Sequence, residues 1–328
     1  MIDSTQLTQA TTLLKQSDRP LLISHPRPDG DTIGPTLALR LALLQLGKHP
    51  LIACVHAPAE NLAYLPGAEH YVSDVAEDAD IDLVVAIDMS DLKRTGGIYK
   101  DSWRERLPLL VIDHHETNDA FGDVNIVVPD AAATAMPMRE VIAALGVPVR
   151  DEIATCLLAG LLTDTRGLRT ESTTPQVLSL VGELITAGGD YMAVVRKTLD
   201  AVPYRTMLGW GSALNRLQLD GKLAWAIVPM AEKKRLGIDD ADDLDLGDLL
   251  SRVAEAKIIA AFIEMSDGSV KVSLRARSGY NVASVAKALG GGGHRLASGY
   301  SAEGPLDAAV ERLLALLRAA LRDASDPS

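Results

Sequence analysis

The chain has 328 residues, of which 47% are hydrophobic and 23% charged, and its formal net charge is −12. This is the composition of a globular protein large enough to bury a substantial core, and the length favours two domains over one. The acidic balance, with no evident basic stripe, argues against a protein that tracks long duplex nucleic acid and favours a small or short phosphorylated substrate.

The sequence predicts a protein that is cytoplasmic and has no membrane partner. No apolar run reaches the length of a membrane span, and the first 16 residues lack the charged start and apolar stretch of a signal peptide. Cys54 and Cys156 each lie in an apolar run, which is typical of small buried thiols in a reducing compartment.

The first half of the chain predicts an α/β domain with a mostly parallel sheet. Short apolar runs that are bounded by turns and separated by helices are typical of buried parallel strands. Strands are predicted at 20–24, 51–55, 82–87 and 109–112, and helices at 4–16, 37–46, 131–145, 151–162, 174–187 and 190–199. Three of the strands end directly at His25, Asp88 or Asp113, on the sheet edge where sites form in such folds.

The pattern changes after Pro203. Strands at 222–228, 256–265 and 270–276 predict a mixed sheet, with a hairpin turn at 266–269 and helices at 281–289 and 305–322. We therefore predict a catalytic domain over 1–189, a linker over 190–203 and a smaller α/β substrate-binding domain over 204–328, with the active-site cleft between the two domains.

Imidazoles and carboxylates recur at the ends of the predicted elements. They are His25, Asp29 and Asp31 after the first strand, Asp88 after the third, Asp113, His114 and His115 after the fourth, and Asp164 after the helix over 151–162. Taken singly, each of them could be a turn former, a cap or a structural histidine. Together they are a mixed nitrogen and oxygen donor set that suits manganese, iron, cobalt or zinc, and their number predicts two ions that share a carboxylate.

These motifs resemble those of the DHH phosphoesterase superfamily. The matching segments are His25-x-x-x-Asp29-Gly-Asp31, Asp88-Met-Ser-Asp91, Asp113-His114-His115 and Asp164-Thr165. The C-terminal half resembles the DHH-associated domain through Ser273-Leu274-Arg275 and the block that runs from Gly290 through His294 to Gly299. The whole chain is similar to the bacterial oligoribonuclease (nano-RNase) and phosphoadenosine-phosphate phosphatase branch.

The resemblance implies a role for each matching residue. Two Mn²⁺ are the implied cofactors, with Mg²⁺, Co²⁺ or Fe²⁺ as substitutes. His25, Asp29 and Asp88 would hold one ion, and Asp31, Asp88, His114 and Asp164 would hold the other. The implied catalytic residues are Asp113, which would orient a histidine, and His115, which would face the substrate phosphate.

A glycine-rich block precedes His294, and glycines there would let the backbone approach a phosphate closely. Its spacing is that of neither a P-loop nor a dinucleotide fingerprint, and alone it would more often be a flexible turn. Arg166 and Arg169 stand where many relatives have a glycine and an aromatic residue, and they could add phosphate contacts. With the resemblance, the predicted substrate contacts are Arg166, Arg275, Arg277, Gly291, Gly292, Gly293 and His294.

The implied activity is that of a manganese-dependent phosphodiesterase or exonuclease. It would hydrolyse short single-stranded oligonucleotides and pApA-type dinucleotides to 5′-mononucleotides, with phosphoadenosine phosphate as a further substrate. A RecJ-like single-strand DNA exonuclease, a family II-like pyrophosphatase and a catalytically silent nucleotide- or metal-binding protein remain open as alternatives. The sequence is also compatible with a homodimer.

Overall fold

A computed structural model of the chain describes residues 2–240, 242 and 244–323. It separates into two compact units, with the division between Ala201 and Val202. Each unit has its own sheet and its own hydrophobic core.

The first unit contains a five-stranded sheet in which every pair of neighbouring strands is parallel. Its strands are β1 (Pro20–Ser24), β2 (Leu51–Ala53), β3 (Leu83–Ile87), β4 (Leu109–Asp113) and β5 (Val124–Val127), in the spatial order β2-β1-β3-β4-β5. The parallel sheet confirms the predicted fold class. The edge strand β5 was not predicted, because its four residues are mostly half-buried and give too short an apolar run.

Helices cover one face of this sheet. They are α1 (Ser4–Gln16), α2 (Gly30–Gln45), α3 (Ala135–Ala144), α4 (Asp151–Asp164), α5 (Pro175–Thr186) and α6 (Tyr191–Val194), followed by a π-helical turn at Val195–Leu199. Leu22, Val85 and Leu110 point to this face, whereas Leu21, Val84 and Leu109 point to the other. That second face packs against Trp103 and its neighbours, in a segment with 3₁₀ turns at Leu92–Thr95 and Asp101–Trp103.

Two helices begin elsewhere than their predicted positions. Helix α2 begins at Gly30, a full seven residues before the predicted start at 37, because Asp29 caps it by accepting hydrogen bonds from the Asp31 and Thr32 amides. The prolines and glycine of this segment made it resemble an open loop. Helix α3 begins at Ala135 and not at 131. As a result, the N-termini of both α2 and α3 lie beside predicted metal ligands.

The second unit has a mixed sheet, as predicted, but with six strands: the sequence predicted three of them and missed those at 218–220, 292–294 and 297–302. Its strands are β6 (Gln218–Asp220), β7 (Leu223–Val228), β8 (Ile258–Glu264), β9 (Val270–Ala276), β10 (Gly292–His294) and β11 (Ala297–Ala302), in the order β10-β11-β9-β8-β7-β6. Its helices are α7 (Tyr204–Leu214), α8 (Met230–Leu236), α9 (Leu246–Leu250), α10 (Ala283–Ala288) and α11 (Leu306–Asp323). Only β7 and β8 pair in parallel; the other neighbours are antiparallel. The glycine-rich block is therefore the edge strand of a hairpin, β10 with β11.

Within the described part of the chain, no single helix is both long enough and apolar enough to cross a membrane. One sharply bent pair, Pro175–Thr186 with Tyr191–Leu199, meets the criteria by length and composition alone.

The close packing of α2 on α4 generates a stability prediction. A methyl group on Gly34 would overlap the Cys156 carbonyl, which is backbone and cannot move aside easily. We expect Gly34→Ala to lower the free energy of unfolding by about 1–3 kcal/mol, the usual cost of overpacking, in urea denaturation.

Gly182→Ala is the matched control. Gly182 lies inside α5, and nothing surrounds the position that its Cβ would take. Alanine there should raise the free energy of unfolding by about 0.5–1 kcal/mol through helix propensity. A Gly34→Ala protein as stable as Gly182→Ala would show that the α2–α4 contact does not need a glycine.

Candidate metal centre

The predicted ligands meet at the carboxyl edge of the first sheet. In the order β2-β1-β3-β4-β5 the chain reverses its direction of progress between β1 and β3, which is where open α/β folds form their sites. His25 directly follows β1, and Asp88 directly follows β3. The neighbouring strand β4 ends at Asp113 and brings His114 and His115 to the same edge.

His25 is oriented by its own backbone. Its Nδ1 lies 3.0 Å from the Pro26 carbonyl oxygen, and because a carbonyl can only accept, Nδ1 carries the proton. Its Nε2 therefore faces the carboxylates, 3.4 Å from Asp88 Oδ2 and 3.8 Å from Asp29 Oδ1. A histidine held in this way is pre-oriented as a metal ligand.

His114 is oriented by the same means. Its Nδ1 donates to the Ala131 carbonyl oxygen over 3.0 Å. Its Nε2 then faces three carboxylates, lying 3.3 Å from Asp164 Oδ2 and 3.7 Å from both Asp31 Oδ2 and Asp88 Oδ1. Asp164, the last residue of α4, is thus brought beside His114.

Asp88 lies between the two histidines. One of its oxygens faces His25, and the other faces His114 and, at 3.7 Å, the Nδ1 of His115. The residue is 3% exposed and has a left-handed backbone with φ of 60°. Such a conformation costs an aspartate of order 1 kcal/mol, and strain of this kind concentrates at functional sites.

Two residues that sequence reasoning missed hold the buried carboxylates. Thr134 donates its hydroxyl to Asp88 Oδ1 over 2.8 Å and its backbone amide to Asp31 Oδ2 over 2.6 Å. The Ala135 amide donates to the other oxygen of Asp31 over 3.2 Å. Both amides belong to the N-terminus of α3, whose dipole favours the negative charge. A threonine at the start of a predicted helix was the available signal.

His115 has a different environment from His114. Its Nδ1 donates to Asp113 Oδ1 over 2.7 Å, and Asn118 donates to Asp113 Oδ2 over 2.6 Å and to the Met89 carbonyl over 3.0 Å. Asp113 is fully buried, whereas the His115 side chain is 26% exposed. Asp113 therefore orients His115 in particular, and Asn118, a further residue missed in the sequence, fixes Asp113.

The charges in this cluster are strongly coupled. Burial and the neighbouring carboxylates raise the pKa of Asp31 well above its usual value, and they raise the pKa of Asp164 to about 6. Burial opposes a charged His25, but Asp29 and Asp88 outweigh it and raise the pKa of His25 to about 10. The hydrogen bond to Asp113 raises the pKa of His115, and that bond together with Asn118 keeps the pKa of Asp113 low.

This donor set fits divalent cations. Among the residues that the structure describes, three groups of side chains place one donor atom each within 4.8 Å of one another, and Asp88 belongs to two of them. The groups are His25, Asp29 and Asp88; Asp31, His114 and Asp164; and Asp88, His114 and His115. The carboxylates repel one another at neutral pH, and the Nε2 atoms of His25 and His114 face them. Positive ions bound between these groups would relieve the repulsion.

The remaining predicted contacts lie elsewhere. Arg166 is exposed, two residues beyond Asp164. Arg275 and Arg277 are in the second unit and have partners there: Arg275 donates to Asp248 over 3.0 Å, and Arg277 donates to the carbonyls of Ala256 and Val253. The glycines of β10 and His294 form an exposed hairpin edge. Substrate binding by these residues stays a prediction.

The raised pKa of Asp164 generates a pH prediction. A carboxyl whose folded pKa is about 6 instead of 3.8 destabilises the metal-free fold as pH rises through this range, because the folded state resists its ionisation. In excess chelator at pH 8, we expect Asp164→Asn to be more stable than the unmodified protein by about 1 kcal/mol, after allowing for solvent screening. The gain should vanish near pH 4 in a thermal-melting series; a pH-independent gain would contradict this account.

The contacts of Thr134 generate a second prediction. Thr134→Val keeps the backbone amide on Asp31 and the side-chain shape, but removes the hydroxyl that orients Asp88. We expect the affinity for Mn²⁺ to fall about 10-fold, at the low end for lost support of a ligand, in isothermal titration. Thr186→Val, on α5 and away from the site, is the control and should bind Mn²⁺ as the unmodified protein does. Equal affinities in the two variants would show that Asp88 needs no such support.

Comparison with known proteins agrees with this geometry. Residues 20–161 match the model of the DHH family N-terminal domain, and residues 220–323 match that of the DHHA1 domain. A bifunctional oligoribonuclease and PAP phosphatase NrnA from Thermus thermophilus is 34% identical over 309 residues, which are 93% of this chain and 91% of that protein. A probable enzyme of the same name from Streptococcus mutans is 26% identical over 87% of this chain and 90% of its own length.

A solved structure shares the fold over nearly the whole chain. It is an exopolyphosphatase-related protein from Bacteroides fragilis, with a TM-score of 0.88, 22% sequence identity and coverage of 98% of this chain and 99% of its own. DHH phosphoesterases are metal-dependent hydrolases of phosphoric esters, and the side chains at the sheet edge could bind such metals. The resemblance noted in the sequence is thereby confirmed: this chain belongs to the DHH family of phosphoesterases and carries both its DHH and its DHHA1 domain.

Proposed function

We propose that this protein is a manganese-dependent phosphodiesterase that hydrolyses short oligonucleotides and dinucleotides to 5′-mononucleotides, with phosphoadenosine phosphate as a further substrate. The observation that carries the proposal is the position of Asp88, which presents one oxygen to His25 and the other to His114. The names of the NrnA relatives, which describe oligoribonucleases and PAP phosphatases, support this substrate class.

The chain's residues divide between two cation sites. His25, Asp29 and Asp88 would hold one Mn²⁺, and Asp31, Asp88, His114 and Asp164 would hold the other, in keeping with the groups that the structure brings together. Cations bound there supply Lewis acidity and lower the pKa of water, so that hydroxide is available near neutral pH.

His115 is placed to act on the phosphate. Its Nδ1 proton is held by Asp113, and the negative charges around it raise its pKa, so the imidazole is charged or can readily become so. A protonated His115 would donate to a phosphate oxygen and stabilise the charge that develops during hydrolysis. Asp113 remains ionised through this step because Asn118 also donates to it.

The second unit would bind the substrate. We assign residues 1–189 to the catalytic domain, 190–203 to a linker and 204–328 to the substrate-binding domain. The exposed backbone of Gly292 and Gly293, with the half-buried Gly291 and with His294, would contact a terminal nucleotide or phosphate. Arg275 and Arg277 would then contribute indirectly. Their hydrogen bonds to Asp248 and to the Ala256 carbonyl would hold the sheet to which this hairpin belongs.

The test is a substrate panel with metal analysis. Purified protein is assayed with pApA, short RNA, short DNA, phosphoadenosine phosphate and pyrophosphate, each with Mn²⁺, Mg²⁺, Co²⁺ or Fe²⁺. We expect the highest kcat/KM on pApA and short RNA with Mn²⁺, with phosphoadenosine phosphate cleaved as well. Cleavage of pyrophosphate alone, or bound metal with no hydrolysis of any substrate, would overturn the proposal.

A substitution at Asp88 supplies the mechanistic test. Asp88→Asn weakens a ligand of both cation sites, so we expect kcat on pApA to fall at least about 10³-fold, together with a loss of bound metal. Asp74→Asn, an exposed carboxylate that pairs with Lys100, is the control and should leave kcat unchanged. Full activity in Asp88→Asn would rule out the shared-carboxylate site.

A further inference from the structure

Four cationic side chains lie on two neighbouring segments of the first unit, just beyond α4. We call them the basic patch: Arg166 and Arg169, in the turn after α4, and Arg196 and Lys197, in the π-helical turn. All four are exposed.

The turn after α4 holds a strained shape. Arg166, Gly167 and Leu168 all have left-handed backbones, with φ of 51°, 69° and 66°. Two backbone hydrogen bonds close the turn, from Gly167 to the Leu162 carbonyl and from Arg169 to the Thr165 carbonyl, both over 2.7 Å. The left-handed backbones of an arginine and a leucine each cost of order 1 kcal/mol. The contacts around the turn must therefore compensate this strain.

The two segments touch. A Cβ on Gly167 would lie 3.2 Å from Leu199 Cδ1 and 3.8 Å from Arg169 Nε, which places the turn against the end of the π-helical turn. Tyr64 contacts the π-helical turn in two ways. Its hydroxyl lies 2.9 Å from Thr198 Oγ1, and Lys197 Nζ lies over its ring, 4.7 Å from the ring centre. The basic patch is therefore a fixed surface, and π-helical turns are frequent at functional sites.

The charges of Arg169, Arg196 and Lys197 are available to a ligand. Among the residues that the structure describes, no carboxylate forms an ion pair with Arg169, Arg196 or Lys197, although Glu171 and Asp200 lie close to them in sequence. Arg169 donates its Nε to the Arg166 carbonyl over 2.6 Å, a bond that positions the guanidinium without neutralising it.

We propose that the basic patch binds backbone phosphates of a single-stranded oligonucleotide, beyond the phosphate that is cleaved. This rests on the proposed function. Helix α4 ends at Asp164 in the metal centre, and the patch begins two residues later, so a nucleic acid strand that leaves the centre along this side meets it. Guanidinium groups pair phosphate oxygens through two hydrogen bonds. A dinucleotide such as pApA has only its terminal 5′-phosphate beyond the phosphate that is cleaved, and we propose that the hairpin of the second unit contacts this terminal phosphate.

The experiment compares substrates of two lengths. The double variant Arg196→Gln, Lys197→Gln avoids the turn that follows Asp164 and removes two charges. At about 0.1 M monovalent salt, each phosphate contact on a single strand contributes roughly 5-fold in affinity. We expect kcat/KM on a five-nucleotide RNA to fall about 10- to 30-fold, while kcat/KM on pApA changes less than about 2-fold. The slope of log KM against log salt for the longer RNA should decrease by about 1.4.

The matched control removes two cations from the opposite edge of the sheet. Lys15 and Lys48 lie just before β1 and β2, at the amino ends of the strands, and Lys15→Gln, Lys48→Gln should change neither substrate. The proposal is overturned if the patch variant leaves both substrates unaffected, or lowers both equally. An unmodified protein that cleaves neither substrate would instead overturn the proposed function itself.

Discussion

The buried carboxylate of Asp88 is the constraint on which the centre depends. It is held at the end of a fully buried strand, in a left-handed conformation, with a histidine facing each of its oxygens. A single aspartate in this position could bind two cations, one through each oxygen. This requires both histidines to point their Nε2 atoms toward it. The carbonyls of Pro26 and Ala131 enforce that orientation, since each captures the Nδ1 proton.

The protein holds these negative charges together before any cation arrives. Thr134 and Ala135, at the N-terminus of α3, supply the hydrogen bonds that keep Asp31 and Asp88 in place. They do not remove the electrostatic cost, because burial and the neighbouring carboxylates still raise the pKa values of Asp31 and Asp164. The metal-free fold therefore carries an electrostatic cost that bound cations relieve, and metal affinity and stability are linked through the same side chains.

The sequence predicted the elements whose signal is local. Apolar runs ending in Asp or His located β1, β3 and β4 and placed the ligands at one edge, because a parallel sheet aligns the carboxyl ends of its strands. The early start of α2 escaped prediction, since Asp29 acts both as a cap and as a candidate ligand, and prolines beside it suggested a loop. The contact of Thr134 with Asp88 and that of Asn118 with the Met89 carbonyl also escaped, because they join segments far apart in the chain.

The acidity of the chain and its affinity for an anionic substrate are compatible because the charges are separated. The carboxylates that would repel a phosphate are those that face the cation sites, so bound metal reverses the local charge at the place where the scissile phosphate must lie. The basic patch lies directly beyond, on a turn whose shape is fixed by the end of α4. Under our proposal, each phosphate beyond the one that is cleaved would gain affinity from the basic patch, so that binding would strengthen with the length of the strand.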